Sequence, residues 1–288
     1  MVSTAMSRPI HRRRTDQAPN RAHGQHFLVQ PHIASRIVER ALLGPDDEVI
    51  EIGPGRGALT EYLARAVARR LVLVEIDLRL AGALKARFAD DDRVTVIHGD
   101  FLALRREEII GRPPVKVVSN LPFNSATAIL ERLSHWRSLI VRMVLMFQRE
   151  VAERIRARPA TPPYCALSAL TALNWNVEEH FRVPAGNFFP RPKVDAEVLV
   201  LAPVSRPMEP EQAQAMSEVI RACFLNPRKT LRSGLSMTLK IPRSLAQARL
   251  EQARIEPTAR PAQLALEDFG RLACALHGVE LKGLPADA

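Results

Sequence analysis

The sequence contains no apolar run approaching the roughly 18 residues of a membrane-spanning helix. Its best candidate, Leu139 to Phe147, carries Arg142 and reads as a buried core strand. Cysteines are few. Cys165, Cys223 and Cys274 lie far apart, form no C-x-x-C pair and suggest no disulfide framework. That usage fits a reducing cytoplasm. The eight histidines show no metal-ligand spacing, so no metal is expected. The basic residues near the amino terminus are followed by no apolar core, so no secretory signal is expected. Acidic residues are in deficit, 31 against 41 Lys and Arg, which leaves a formal net charge of +10. An excess of that sign points to a polyanionic partner, most simply nucleic acid.

What is present is a chain of 288 residues, enough for one large domain and a small one. Residues 1–22 are polar and basic and read as a disordered tail or as an arm that touches phosphates. Helical spacing follows Pro31 through Ile33, Ile37 and Val38, with Gly44-Pro45 as the stop. Val49 to Ile52 reads as a strand that runs into Gly53-Pro54-Gly55-Arg56-Gly57 and then a helix. Strand, glycine loop and helix in that order build a nucleotide-type pocket. A second strand ends at Glu75, about twenty residues on, where an acid accepts from two ribose hydroxyls. A third ends at Asp100, suited to an adenine amino group. A fourth, Val115 to Ser119, ends at Asn120. Repeated β–α alternation predicts a doubly wound, Rossmann-like α/β sheet. The G-x-G-x-G spacing, preceded by Glu51, departs from the dinucleotide pattern G-x-G-x-x-G, and its combination with Glu75, Asp100 and Asn120 favours S-adenosylmethionine over NAD.

The stretch around which this arrangement is organised is Asn120-Leu121-Pro122-Phe123. It offers a side-chain amide, a backbone carbonyl whose direction the following proline fixes, and an aromatic face. An exocyclic amine on a planar base needs that receptor: two acceptors for its N–H groups and a ring to stack on. Taken alone, the tetrapeptide also fits a strand-end turn over a buried phenylalanine. Further on, Gln148 to Arg158 reads as a charged helix. Cys165 to Asn174 and Val194 to Leu201 read as later, antiparallel strands. The stiff loop Phe188 to Val194 places Phe188 to give a second face to a base stacked on Phe123. Pro203 to Pro210 reads as a linker. It separates a domain over 23–203 from a small helical one over 204–288. No acidic residue occurs from Val219 to Leu250, whereas Arg221, Arg228, Lys229 and Arg232 do. That face is either solvated or a phosphate-binding surface.

These residues resemble the rRNA adenine N6-dimethyltransferases. The resemblance runs from Gly24 to about Leu276. It is carried by Gly24-Gln25-His26-Phe27-Leu28, Glu51 to Gly57, Val74 to Asp77, Gly99-Asp100, Asn120 to Phe123 and Phe188 to Asp195. Phe224 to Arg232 and Leu266 to Phe269 point to the small-subunit branch. The resemblance implies a Rossmann-like methyltransferase domain with a small helical RNA-binding domain. It implies S-adenosylmethionine as cofactor, held by His26, Leu28, Gly53, Gly55, Glu75, Asp100 and Asn120. Asn120, Leu121, Pro122 and Phe123 become the catalytic loop. The implied reaction is N6,N6-dimethylation of two adjacent adenines in the 3′-terminal loop of 16S rRNA, within the 30S subunit, by a monomer with no membrane partner. The family usually carries Asn at the position of His26, and Asn-Ile-Ser where this chain reads Asn124-Ser125-Ala126. Two other readings remain open: a 23S rRNA methyltransferase conferring macrolide resistance, and a non-catalytic RNA-binding assembly factor.

Overall fold

The computed structural model describes residues 26–66, 69–205 and 208–278. The basic stretch 1–22 lies outside them. The chain opens with a short strand β1 (Phe27–Leu28) and helix α1 (Pro31–Arg40). Alternating elements follow: β2 (Glu48–Ile52), α2 (Thr60–Ala66), β3 (Arg70–Glu75), α3 (Leu78–Arg87), β4 (Val94–His98), α4 (Arg106–Ile109), β5 (Val115–Asn120), α5 (Ala126–His135) and β6 (Ile140–Gln148). Then come α6 (Arg149–Ile155), α7 (Ala166–Ala172), β7 (Trp175–Val183), β8 (Phe188–Phe189) and β9 (Ala196–Pro203). The described residues end in four α-helices: α8 (Pro210–Phe224), α9 (Leu231–Leu239), α10 (Arg243–Gln252) and α11 (Leu266–His277).

Seven strands form one sheet in the order β4-β3-β2-β5-β6-β9-β7, while β1 and β8 pair separately. The first five strands are parallel, and β9 runs antiparallel to both β6 and β7. Side chains alternate between two faces, as strand geometry requires. Val49, Leu71, Leu73, Val118 and Val144 pack under α1 and α2 on one face. Ile50, Val72, Val117, Met143 and Leu145 pack under α5 and α6 on the other. Both faces being covered explains why these strands read as continuous apolar runs. The chain steps outward from β2 to β4, then returns to place β5 on the other side of β2. That reversal is where open α/β sheets leave a ligand crevice.

The Cys165–Asn174 stretch is a correction. It forms helix α7, and the strand that closes the sheet is β7. Ala and Leu dominate the segment, both strong helix formers. Ser168 Oγ accepts the Cys165 N–H at 3.0 Å and holds the first turn. The true edge strand escaped notice because Glu178, Glu179, His180 and Arg182 dilute its apolar content. Helix α1 also ends earlier than Gly44: Ala41 caps it, and Leu42 turns the chain at φ 49°.

The four C-terminal helices bury Met216, Ile220, Leu235, Leu250 and Phe269 in a third core, into which Tyr164, Ala169 and Leu173 also pack. The Tyr164 hydroxyl donates to the Leu264 carbonyl at 3.1 Å. Arg221 on α8 pairs with Glu131 on α5 at 2.5 Å. These contacts tie the helical bundle to the sheet layer.

Candidate active site

The carboxyl ends of β2, β3 and β5, with the turn after β4, converge on one cleft. Beyond β2, Gly53, Gly55 and Gly57 all adopt positive φ. Gly55 leaves no space for a side chain: a Cβ there would sit 2.9 Å from the Phe27 ring. The loop can therefore lie close beneath a ligand only because that atom is missing. Gly53 is pressed against Pro122 in the same way, its added Cβ 3.3 Å from the proline ring. The two predicted loops thus pack against each other.

Glu75 ends β3 with 3% exposure. One carboxylate oxygen accepts the Gly55 N–H at 2.9 Å, and the other accepts the Asp77 N–H at 2.9 Å. Burial raises its pKa, partly offset by those two N–H groups. Each oxygen keeps a lone pair for a ligand hydroxyl. Asp100 is exposed; its Oδ1 accepts the Leu102 N–H at 2.9 Å.

Asn120 ends β5. Its Nδ2 donates to the His26 carbonyl at 3.2 Å. Its Oδ1 is buried and has no hydrogen-bond partner among the described residues. Such orphans are rare in folded proteins, and each costs about 1–3 kcal/mol. One that lines a cleft awaits a ligand N–H. Leu121 is buried and anchors the loop in the core. Phe123 is half-buried, with the His26 ring 5.5 Å away at 33°. His26 Nδ1 in turn donates to the Pro190 carbonyl at 2.8 Å, so His26 is held through both its ring and its backbone carbonyl.

His26, Leu28, Gly53, Gly55, Glu75 and Asp100 all line this cleft, as do Asn120, Leu121, Pro122 and Phe123. Phe188 does not. It is 4% exposed and meets Phe123 edge-on, with ring centroids 6.4 Å apart at 63°. It braces Phe123 and has no free face to offer a base, because β8 pairs it with Leu28 on the buried side. Sequence reasoning passed over Glu51 as a site residue. This buried acid lines the cleft, accepts from Thr60 Oγ1 at 2.7 Å, and is pushed up to about 8 by burial. Its position two residues before Gly53 was the available signal.

The cationic residues divide. Arg228 and Lys229 are exposed on the turn between α8 and α9. Arg221 is engaged with Glu131. Arg232 is half-buried and donates to Gln247 Oε1 at 3.0 Å. Each of these two thus has an intramolecular partner, while Arg232 Nε is buried without one among the described residues. The described residues hold no group of three or more potential metal ligands. No helix among them is long and apolar enough to cross a membrane.

Residues 17–276 match the family model for ribosomal RNA adenine dimethylase. The chain is 38% identical to ribosomal RNA small subunit methyltransferase A of Geobacter metallireducens, over 89% of this chain and 94% of that one. The Geobacter sulfurreducens protein of the same name is 39% identical, over 88% and 93%. Among solved structures, the 23S rRNA methyltransferase ErmE superposes with a TM-score of 0.64 at 27% identity, covering 87% of this chain and 99% of that one. A dimethyladenosine transferase from Plasmodium falciparum shares the fold, with a TM-score of 0.71 at 24% identity, covering 86% and 96%.

Proposed function

The chain belongs to the ribosomal RNA adenine dimethylase family, and we propose that it uses S-adenosylmethionine to dimethylate N6 of two adjacent adenines in the 3′-terminal hairpin loop of 16S rRNA, within the 30S subunit. The reading includes a cytoplasmic, monomeric enzyme acting during small-subunit biogenesis. The observation that carries the chemistry is the buried, unpartnered Oδ1 of Asn120.

The cleft suits a nucleoside-bearing cofactor. Glu75 retains lone pairs for the ribose hydroxyls, and Asp100 is open to the adenine amino group. Gly53 and Gly55 keep backbone close to the ligand, while Leu28 and His26 wall the other side. When bound, S-adenosylmethionine supplies an electrophilic methyl group on a sulfonium. Everything else falls to the protein. The target base must leave its stack, at a cost of a few kcal/mol. Stacking on Phe123 returns about 1–3 kcal/mol. Asn120 Oδ1 and the Leu121 carbonyl accept the two N–H groups of the amine. That draws the nitrogen towards tetrahedral geometry and frees a lone pair otherwise delocalised into the ring. Positive charge then grows on N6, so the two acceptors bind the transition state more tightly than the ground state. No general base is needed, because the methylated nitrogen releases its proton to water. In the second transfer one N–H remains, and a single acceptor suffices.

The small-subunit target is supported by 38–39% identity to relatives bearing that name, against 27% to ErmE. The test is transfer of tritiated methyl groups to 30S particles lacking the modification, beside 50S particles. Label in 30S is expected. Label in 50S alone favours the 23S reading, and label in neither favours a non-catalytic assembly factor.

A further inference from the structure

All ten phenylalanines lie among the described residues, and Phe189 alone is exposed, at 57%. In the β1–β8 ribbon, Leu28 opposes Phe188 and Phe27 opposes Phe189. Opposed residues of an antiparallel pair project from the same face. Leu28 and Phe188 take the buried face, so Phe27 and Phe189 share the other. Phe27 lines the cleft, its ring against Gly55. Phe189 therefore stands beside the cleft mouth without belonging to its lining.

The ribbon holds this ring in place. The Val29 N–H donates to the Asn187 carbonyl at 2.9 Å, and His26 Nδ1 donates to Pro190. Asp195 Oδ1 accepts the Ala185 N–H at 2.8 Å and closes the loop from its far end. Just past the ring, Arg191 and Lys193 are exposed, with no ion-pair partner among the described residues. A ring left 57% exposed forgoes more than half of the stabilisation that full burial would give. A ring beside free cations suits a ligand that alternates flat faces with negative charge.

We propose that Phe189, with Arg191 and Lys193, forms a docking platform for single-stranded RNA at the mouth of the cleft. The ring stacks on the base adjoining the one whose amino group enters the cleft, and the two cations meet the flanking phosphates. Extrusion of one base strips a stacking partner from its neighbour, and Phe189 replaces it. The proposal rests on the reading of the protein as an rRNA adenine methyltransferase.

The test is a double-mutant cycle in binding, read by anisotropy of a labelled single-stranded RNA with one central adenine. Wild type and Phe189→Ala are each titrated with the intact RNA and with RNAs made abasic on the 5′ or the 3′ side of that adenine. Phe189→Ala should weaken binding of intact RNA roughly tenfold and affect one abasic RNA by less than about twofold. Phe189→Tyr should restore binding, and S-adenosylhomocysteine affinity should not change. Arg191→Gln with Lys193→Gln should lower the salt slope by about 1 per residue. Equal losses on all three RNAs, no loss, or no binding by wild type overturns the platform. The readout is binding, so its outcome is separate from turnover. A wild type that binds with this pattern yet methylates no RNA contradicts the functional reading alone.

Discussion

The Asn120 side chain donates to the His26 carbonyl at 3.2 Å, and that bond decides which end of the amide is left over. With Nδ2 committed, Oδ1 is the atom without a partner. A residue at the start of the described chain thus sets the polarity of the receptor at the end of β5. Asn120→Ala should lower kcat on 30S by about 10²- to 10³-fold, the scale of losing one preorganised polar contact to the transition state. Cofactor affinity by calorimetry should fall much less. Unchanged turnover in this variant would remove Asn120 from the chemistry.

Glu51 makes stability depend on pH. Burial pushes its pKa up to about 8, whereas in the unfolded chain the carboxyl ionises near its ordinary value of 4.5. Between those values the folded state holds a proton that the unfolded state has lost. Stability from this group is therefore complete below about pH 4.5 and drains away as pH rises towards 8. Glu51→Gln keeps the shape and the Thr60 contact without the titration. Thermal unfolding of the cofactor-free protein should show the variant gaining on wild type from pH 5 to pH 8, by up to a few kcal/mol. A constant difference across that range would contradict the assignment.

Gly55→Ala tests the close approach of the loop. The residue sits at φ +58°, and an added Cβ would meet the Phe27 ring at 2.9 Å. Strain of that kind costs about 1–3 kcal/mol. Unfolding midpoints and cofactor binding should both drop, and a variant that binds as tightly as wild type would show that the loop has room.

The basic surface of the helical bundle divides into two classes. Arg228→Ala and Lys229→Ala should each reduce the salt slope of RNA binding by about 1. Arg221→Ala should leave that slope nearly unchanged. It should cost no more than about 1 kcal/mol of stability, because its pair with Glu131 is half-exposed. An equal effect of all three on the salt slope would return Arg221 to the RNA surface.

Much of this site was legible because its parts are strand ends. Gly53, Glu75 and Asn120 each follow an apolar run, and parallel strands bring their carboxyl ends together whatever the loops do. Asp100 follows the same rule one strand further out. What stayed hidden depends on partners distant in sequence. Phe188 read as a stacking face, but pairing with Leu28 turned it inward and left Phe189 outside. Arg221 read as a phosphate ligand, but Glu131, ninety positions earlier, holds it. Glu51 was visible as an acid, whereas its burial depends on the whole sheet. The segment before β7 read as a strand because its leucines allow either period, and capping by Ser168 settled it as a helix.

The most direct measurement is mass spectrometry of nucleosides from 30S particles incubated with the protein and S-adenosylmethionine. The account predicts N6,N6-dimethyladenosine from wild type, and little or none from Asn120→Ala at matched cofactor occupancy. Methylation at a ring nitrogen or on ribose, or equal N6,N6-dimethyladenosine from both proteins, would contradict it.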